Sequence, residues 1–268
     1  MICFPNAKIN IGLNVVEKRQ DGFHNLETIF LPIGLKDALE FIESDSLSFE
    51  NSGLTIDGDP LNNLCVKAWK LIQQDYNIPP IQIHLHKVIP FGAGLGGGSA
   101  DAAFMLKLLN EYFKLNISEE KLINYALTLG SDCPIFIKNK ACYGTGRGEI
   151  LEQITVNLEG KYLVLINPGI HVPTRDAFAT ITPKHSEFDL RESIQKPIIE
   201  WENFIFNDFE KSIFPKYPAI AKIKETLYEQ GALYASMTGS GSSVFGIFED
   251  DKDLKEVFPE YFCWTGNL

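Results

Sequence analysis

Five of the seven residues from 92 to 98 are glycine, in the run Gly92-Ala93-Gly94-Leu95-Gly96-Gly97-Gly98. An apolar alternation precedes it (Ile81, Ile83 and Leu85, with Val88 and Ile89 after), and Ser99-Ala100-Asp101-Ala102-Ala103 follows at once. The order predicts a strand, a tight loop and a helix. Glycine adopts backbone angles closed to other residues and lets main-chain N–H groups approach a bulky anion. A helix opening at Ser99 aims its unpaired N–H groups and positive dipole end back at the loop. Loop and helix together make an anion site suited to phosphate. A flexible linker would be flanked by polar, low-complexity sequence, and this run is not. The P-loop pattern fails, because no Lys-Ser or Lys-Thr follows the last glycine. Gly92, Gly94 and Gly97 do match the dinucleotide spacing, but that unit needs a second strand after its helix. Here Ser118 opens another helix instead, so the cradle is of a different kind.

A phosphate site needs cations, and the chain as a whole has few to spare. Its 268 residues carry a net charge of −11, which argues against a general role on nucleic acid or a membrane surface. Lys or Arg must therefore lie close to any bound phosphate. The length suits one large or two small domains, and 45% hydrophobic with 22% charged residues is ordinary for a globular protein. Cys3, Cys65, Cys133, Cys142 and Cys263 are scattered, with no C-x-x-C, which favours reduced thiols over disulfides or zinc. No signal peptide is expected from the first residues, and no apolar run approaches the ~20 residues of a membrane span. A cytoplasmic protein is the expectation.

From the start of the chain, Ile9, Ile11, Leu13 and Val15 alternate with Lys8, Asn10, Gly12 and Asn14, a strand pattern with one polar face. Such a face is usually solvated. Asp21-Gly22 marks a turn, and strands are predicted near 26–33, 38–43 and 53–57 as an antiparallel meander. Asn62 or Asn63 caps a helix with Cys65, Ala68, Trp69 and Ile72 on one face, ended by Pro79-Pro80. The helix from Ser99 runs to about Lys114 with Ala100, Ala103, Phe104, Leu108 and Tyr112 as its stripe. Ser118 caps the next helix and Gly130 stops it. In Gly130-Ser131-Asp132-Cys133-Pro134, Ser131 or Asp132 reads equally as a helix cap or as a functional residue. A domain boundary is drawn near residue 155, dividing 1–155 from 156–268. The second half reads as an α+β unit: a strand at 162–167, helices near 201–211 and 216–230, and a strand at 234–237. The glycine turn Thr238-Gly239-Ser240-Gly241-Ser242 and a strand at 244–248 follow. His84 and His86 share a strand face, but no third metal ligand stands at a telling distance.

Three separated segments together resemble the motifs of the GHMP small-molecule kinases: Pro5-Asn6-Ala7-Lys8-Ile9-Asn10, Pro90 to Ala103, and Thr238 to Ser242. Asp21-Gly22-Phe23-His24-Asn25-Leu26 and Leu129 to Phe136 narrow the likeness to members acting on a cytidine diphosphate-linked methylerythritol. The resemblance covers nearly the whole chain in matching order. It implies an α+β fold of two domains, the first like domain 2 of ribosomal protein S5 and the second ferredoxin-like. It also implies ATP and Mg²⁺ as cofactors, a small-molecule substrate, no nucleic acid or membrane partner, and a monomer or weak homodimer.

Residue by residue, the resemblance makes Asp132 the base for the substrate hydroxyl and Lys8 the catalytic lysine that keeps it ionised. It gives the ATP phosphates to the loop Pro90, Phe91, Gly92, Ala93, Gly94, Leu95, Gly96, Gly97, Gly98, Ser99 and Ala100. Lys87 would stand beside the nucleotide and lend positive charge. Phe23 and Phe178 match a stacking pair for the cytosine, and His24 the reader of its edge; many relatives have tyrosine where this chain has Phe23. Asn10, Asn63 and Thr174 match polar positions around the substrate, with Gly239 and Ser240 closing on it from the second domain. The metal ligands are not assigned. The rivals are another GHMP kinase, such as a mevalonate or homoserine kinase, and a non-catalytic ATP- or RNA-binding module on the same fold. The Asp-Gly-Phe-His segment speaks against the first. Lys8 with Asp132, and the negative charge, speak against the second.

Overall fold

The computed structural model describes residues 1–56 and 58–268. In chain order the strands and helices begin with β1 (Ile2–Cys3), β2 (Asn6–Lys18), β3 (His24–Lys36), β4 (Ala38–Glu43), β5 (Ser48–Gly53), α1 (Leu64–Tyr76) and β6 (Ile81–Lys87). Next come α2 (Gly97–Tyr112), α3 (Glu119–Leu129), α4 (Cys133–Lys138), β7 (Cys142–Thr145), β8 (Ile150–Gln153) and β9 (Tyr162–Asn167). The chain ends with α5 (Thr174–Phe178), α6 (Leu190–Ser193), α7 (Glu210–Lys216), α8 (Pro218–Glu229), β10 (Tyr234–Met237), β11 (Val244–Phe248) and β12 (Phe262–Asn267). They fall into two compact units, each assembled from separate stretches of chain. The first comprises Met1–Ala7, Leu35–Phe91 and Gly96–Lys140; the second comprises Lys8–Gly34, Gly92–Leu95 and Ala141–Leu268.

In the first unit four strands lie in the order β1-β4-β6-β5. β4 runs antiparallel to β6 as a meander requires, but β5 runs parallel to it. The cause is the connection: α1 lies between β5 and β6, and a helical crossover returns the chain in the same direction. The strand predicted at 53–57 is displaced to Ser48–Gly53, and Asp57 itself lies outside the described residues. Asn63 caps α1, its side-chain oxygen accepting from the Cys65 N–H at 2.8 Å. Cys65, Val66, Ala68, Trp69 and Ile72 are the buried face of α1. α2 packs against α1, α3 and α4. It buries Ala100, Ala102, Ala103, Met105, Leu106, Leu108 and Leu109. Its apolar side is therefore broader than a single stripe, and Tyr112, predicted inside, is 40% exposed.

The second unit holds two four-stranded sheets, β2-β3-β7-β8 and β10-β11-β9-β12. In the latter β10, β11, β9 and β12 pair antiparallel throughout, and α8 packs on β10 and β11. Val164, Ile166, Ile213, Ile223, Leu227, Met237, Val244 and Phe248 form its core. This is the strand–turn–strand unit backed by helices that the sequence predicted. Two features differ. The helix predicted at 201–211 is a 3₁₀ turn over Ile198–Asn203, then a break, then α7. At the break the Leu13 N–H donates to Phe206 O at 2.8 Å and the Asp208 N–H donates to Leu13 O at 2.8 Å, so pairing with β2 replaces the helical ladder. β12 was not predicted; its residues are half-exposed and carry no alternation.

Candidate active site

In the first unit β6 ends at Lys87 and α2 begins at Gly97, so the predicted strand, loop and helix are present, with the helix starting two residues before Ser99. Gly96 is the N-cap of α2, at φ +70°, and no side chain caps the helix. A helix start without a side-chain cap is the kind of end that an anion site uses. Ser99 lies in the first turn beside the 130–133 segment: a Cβ on Gly130 would stand 3.3 Å from Cys133 Sγ and 4.0 Å from Ser99 Oγ. Asp132 occupies the N-cap of α4, yet its side chain makes no capping hydrogen bond. The cap reading of Asp132 fails for its side chain, and the carboxylate sits in the same unit as the start of α2. Cys133 is a buried thiol that burial pushes up to about 12, with Ser99 opposing, so it stays protonated.

A cavity of about 420 Å³ opens beside the loop, bounded by Phe49, Asn63, Leu64, Phe91, Gly98 and Asp101 among others. Asn63 therefore belongs to this cavity. Asp101 is 2% exposed, and its Oδ1 has no hydrogen-bond partner.

Lys87 is placed differently from the resemblance's picture. It is 1% exposed, with its ammonium on Asp37 Oδ2 and, at 2.8 Å, on Asp101 Oδ2. Burial works to lower its pKa, but Asp101 and Asp37 outweigh burial and hold it above the ordinary lysine range. Its charge is consumed within the protein, since the Asp37 carboxylate holds the ammonium with the Asp101 carboxyl beside it. Lys87 therefore lends no surplus positive charge to a phosphate.

In the second unit three distant stretches of sequence meet. Lys8, on β2, is 3% exposed; its Nζ donates to Asn10 Oδ1 at 2.6 Å and to Gly94 O at 3.0 Å. The Lys8 N–H donates to Leu95 O at 3.0 Å. The Asn10 N–H donates to Thr238 Oγ1 at 3.0 Å, and that hydroxyl donates to Gly94 O at 3.0 Å. Asn10 Nδ2 in turn donates to Thr28 Oγ1 at 2.9 Å. Lys8 and Asn10, on the polar face of β2, are thus buried and hydrogen-bonded, not solvated as such faces usually are, and Asn14 on the same face is buried with its Nδ2 unpartnered. A Cβ on Gly239 would stand 3.3 Å from Asn10 Oδ1 and 3.3 Å from Gly94 Cα. Ser240 is the half-buried residue of that turn. The turn is held from behind by Asn207, whose Nδ2 donates to Met237 O at 2.7 Å and Gly239 O at 2.8 Å. Asn167 Nδ2 donates to Ser243 Oγ at 3.0 Å. Asn167, Asn207 and Thr28 were missed by the sequence reading, as lone polar residues in apolar strands or loops give no pattern to find.

The aromatic cluster also lies in the second unit. His24 stacks on Phe178 with ring centroids 4.6 Å apart and planes at 19°, while Phe209 meets Phe178 edge-on at 4.7 Å. Burial and then Lys18 lower the His24 pKa, so its imidazole is neutral at pH 7. Phe23 directly precedes β3. It is 54% exposed, with the Arg147 guanidinium 5.1 Å from its ring centre. Thr174 opens α5 and is exposed. Elsewhere, Ser52 Oγ lies between His84 Nε2 at 3.1 Å and His86 Nδ1 at 2.9 Å. Among the described residues no group of three or more His, Cys, Asp or Glu could hold a metal. All five cysteines are free thiols. Among the described residues no helix is long and apolar enough to cross a membrane.

The glycine loop, the buried lysine and the second glycine turn belong to a chain that matches one kinase family in both of its halves. Residues 63–140 match the GHMP kinase N-terminal domain and residues 190–262 the GHMP kinase C-terminal domain. The chain belongs to the GHMP kinases, a family that uses ATP. It is 55% identical over 273 residues to the 4-diphosphocytidyl-2-C-methyl-D-erythritol kinase of Bacteroides fragilis, covering all of both chains. It is 52% identical over 270 residues to the enzyme of that name from Parabacteroides distasonis, again covering all of both. A crystal structure of 4-(cytidine 5'-diphospho)-2C-methyl-D-erythritol kinase superposes with a TM-score of 0.83 at 28% identity, over 99% of this chain and 98% of that one. The L. major mevalonate kinase, at 16% identity and a TM-score of 0.71, shares the fold.

Proposed function

We propose that this protein transfers the γ-phosphoryl group of ATP to the 2-hydroxyl of 4-diphosphocytidyl-2-C-methyl-D-erythritol, in the non-mevalonate route to isopentenyl diphosphate. The observation that carries the reading is end-to-end identity above one half with relatives bearing that kinase's name. Phosphoryl transfer needs mainly positioning and charge neutralisation, because its transition state is loose and spreads charge over the transferred oxygens. Backbone N–H groups from Gly92 to Ser99 hold the phosphates, with Pro90, Phe91 and Ala100 shaping the loop's two ends. The adenine of ATP occupies the cavity beside Phe91, Gly98 and Asn63, where the unpartnered Asp101 Oδ1 is an acceptor for an amino group.

Lys8 sets its charge against the γ-phosphoryl oxygens, held in place by Asn10 and the Gly94 carbonyl. Asp132 accepts the proton of the attacking hydroxyl, which a tertiary alcohol, a poor acid, gives up reluctantly. The products are ADP and the alcohol's phosphate ester. Phe178, Phe23 and neutral His24 recognise the cytosine, by stacking and through the imidazole nitrogens. Gly239 and Ser240 contact the acceptor or the phosphates, and Thr174 the acceptor.

Mg²⁺ fits this donor set. The oxygens at the starts of α2 and α4 are hard donors, which suit an ion that arrives on phosphate oxygens and keeps several waters. Ser99 Oγ and the Asp132 carboxylate, both in the first unit, are the oxygens that would hold it. When bound it neutralises phosphate charge. The enzyme is taken to be cytoplasmic, a monomer or weak homodimer, with its two functional halves dividing near residue 155. The test is a phosphoryl-transfer assay with ATP on the diphosphocytidyl substrate and, in parallel, on mevalonate and on methylerythritol 4-phosphate. Turnover confined to the first supports the reading, and turnover on mevalonate alone overturns it.

A further inference from the structure

The phosphate loop is glycine-rich, and such a segment has little stiffness of its own. What fixes its two ends is a buried charge cluster of which the chemistry above uses only the free oxygen of Asp101. Asp37 Oδ1 accepts from the Val88 N–H at 2.6 Å and the Ile89 N–H at 2.9 Å, gripping the chain as it enters the loop. Asp37 Oδ2 takes the Lys87 ammonium, and the same ammonium donates to Asp101 Oδ2 at 2.8 Å, on the helix that leaves the loop. All three side chains are buried to within 3%. A Cβ on Gly97 would stand 2.8 Å from Lys87 Nζ, so this helix start is shaped around the ammonium.

We propose that the Asp37–Lys87–Asp101 cluster is a positioning device that clamps the entry strand to the exit helix of the glycine loop and so sets the affinity for ATP. The inference rests on the reading of that loop as the ATP site. Burying two carboxylates around one ammonium is a poor way to gain stability, and apolar replacements of buried ion pairs are often neutral or better. Its use here is registration: one ammonium reaches both limbs of the loop at once.

Two variants test it. Asp37→Asn removes one charge while keeping an oxygen for the two N–H groups. The double variant Asp37→Asn with Lys87→Met cuts the bridge to α2 while filling the same volume. Both are assayed well below their own melting temperatures, with the wild type measured first. The expected result is a KM for ATP raised about tenfold or more, with the KM for the diphosphocytidyl substrate changed less than twofold. A purely structural role would lower the melting temperature and the active fraction while leaving both KM values alone, and that result overturns the proposal. Wild-type protein that binds ADP by calorimetry but turns over no diphosphocytidyl substrate sinks the substrate assignment, and ADP affinity then replaces KM as the readout. If neither variant folds, hydrogen exchange on the wild type decides. Slow exchange at residues 88–98 without nucleotide is expected, and exchange at the unprotected rate overturns the clamp.

Discussion

A methyl group placed on Gly94 would lie 2.0 Å from the carbonyl oxygen of Thr238, so the central loop and the C-terminal glycine turn share space that only a bare backbone allows. Gly94 also sits at φ +76°, where any side chain is strained. Gly94→Ala therefore meets both a clash and an unfavourable backbone region. The expected loss is about 2–4 kcal/mol of stability, with a melting temperature lower by roughly 5–15 °C and a higher KM for ATP. Differential scanning calorimetry and initial rates check it. A variant as stable and active as the parent would show that the loop and turn can separate freely.

Asp132→Asn keeps the size of the side chain and removes its basicity. Turnover should fall about 10²–10⁴-fold, the usual contribution of a positioned general base, with ATP affinity by calorimetry near that of the parent. Lys8→Met should lower turnover to a similar degree. It also removes the two ammonium hydrogen bonds to Asn10 Oδ1 and Gly94 O, so its melting temperature should drop as well. The pair of measurements separates a residue that works on the proton from one that also holds the loop.

Phe178→Ala should raise the KM for the diphosphocytidyl substrate only about fivefold, the low end of the ~1–3 kcal/mol of a stacked base because His24 already covers the ring, and leave the KM for ATP alone. His24 adds a pH signature. Its pKa is depressed, by burial first and Lys18 second, so neutral imidazole prevails at and above pH 6.5. The KM for this substrate should be flat from pH 7 to 8 and rise under acid conditions as His24 protonates. Its contribution to stability follows the same sign: present above its unfolded value and lost as pH falls. Steady-state rates between pH 5.5 and 8 test it, and a His24→Gln control should abolish the acid limb.

Asp101 runs the other way. Burial, with Asp37 adding to it, pushes its carboxyl up to about 7 despite the opposing pull of Lys87. The folded protein then holds this proton more tightly than the unfolded chain between about pH 4 and 7, so the Asp101 contribution to stability declines as pH rises through that range. Asp101→Asn cannot ionise. Its melting temperature relative to the parent should improve steadily from pH 5 to pH 8. A difference independent of pH would mean that Asp101 stays ionised throughout.

The elements legible in sequence were those whose signal is local. The glycine run, the cap at Asn62 or Asn63, the Pro79-Pro80 stop after α1 and the turn at 238–242 each announce themselves within a few residues. β5 was misplaced and its direction missed because parallel pairing is decided by α1, a whole helix away. The 201–211 helix gave way because the backbone of Leu13 competes for Phe206 and Asp208, nearly 200 positions on. Among site residues, Lys8 and Asn10 could be picked from a motif, yet their burial could not, since alternation with apolar neighbours looks the same on a wet or a dry face. Lys87 shows the limit most plainly: its position before the loop was readable, but the destination of its charge depends on Asp37 and Asp101, one of them fifty residues upstream.

The imidazole of His24 lying flat on Phe178 has a consequence for how a pyrimidine enters. With no visitor, that aromatic face is already shielded by the protein's own ring. A cytosine taking the same seat swaps one flat partner for another and releases little solvent, so the gain in ring contact is small. Discrimination at this end then rests on the rim of the base, and an analogue of equal breadth with its polar rim altered should lose most of its grip.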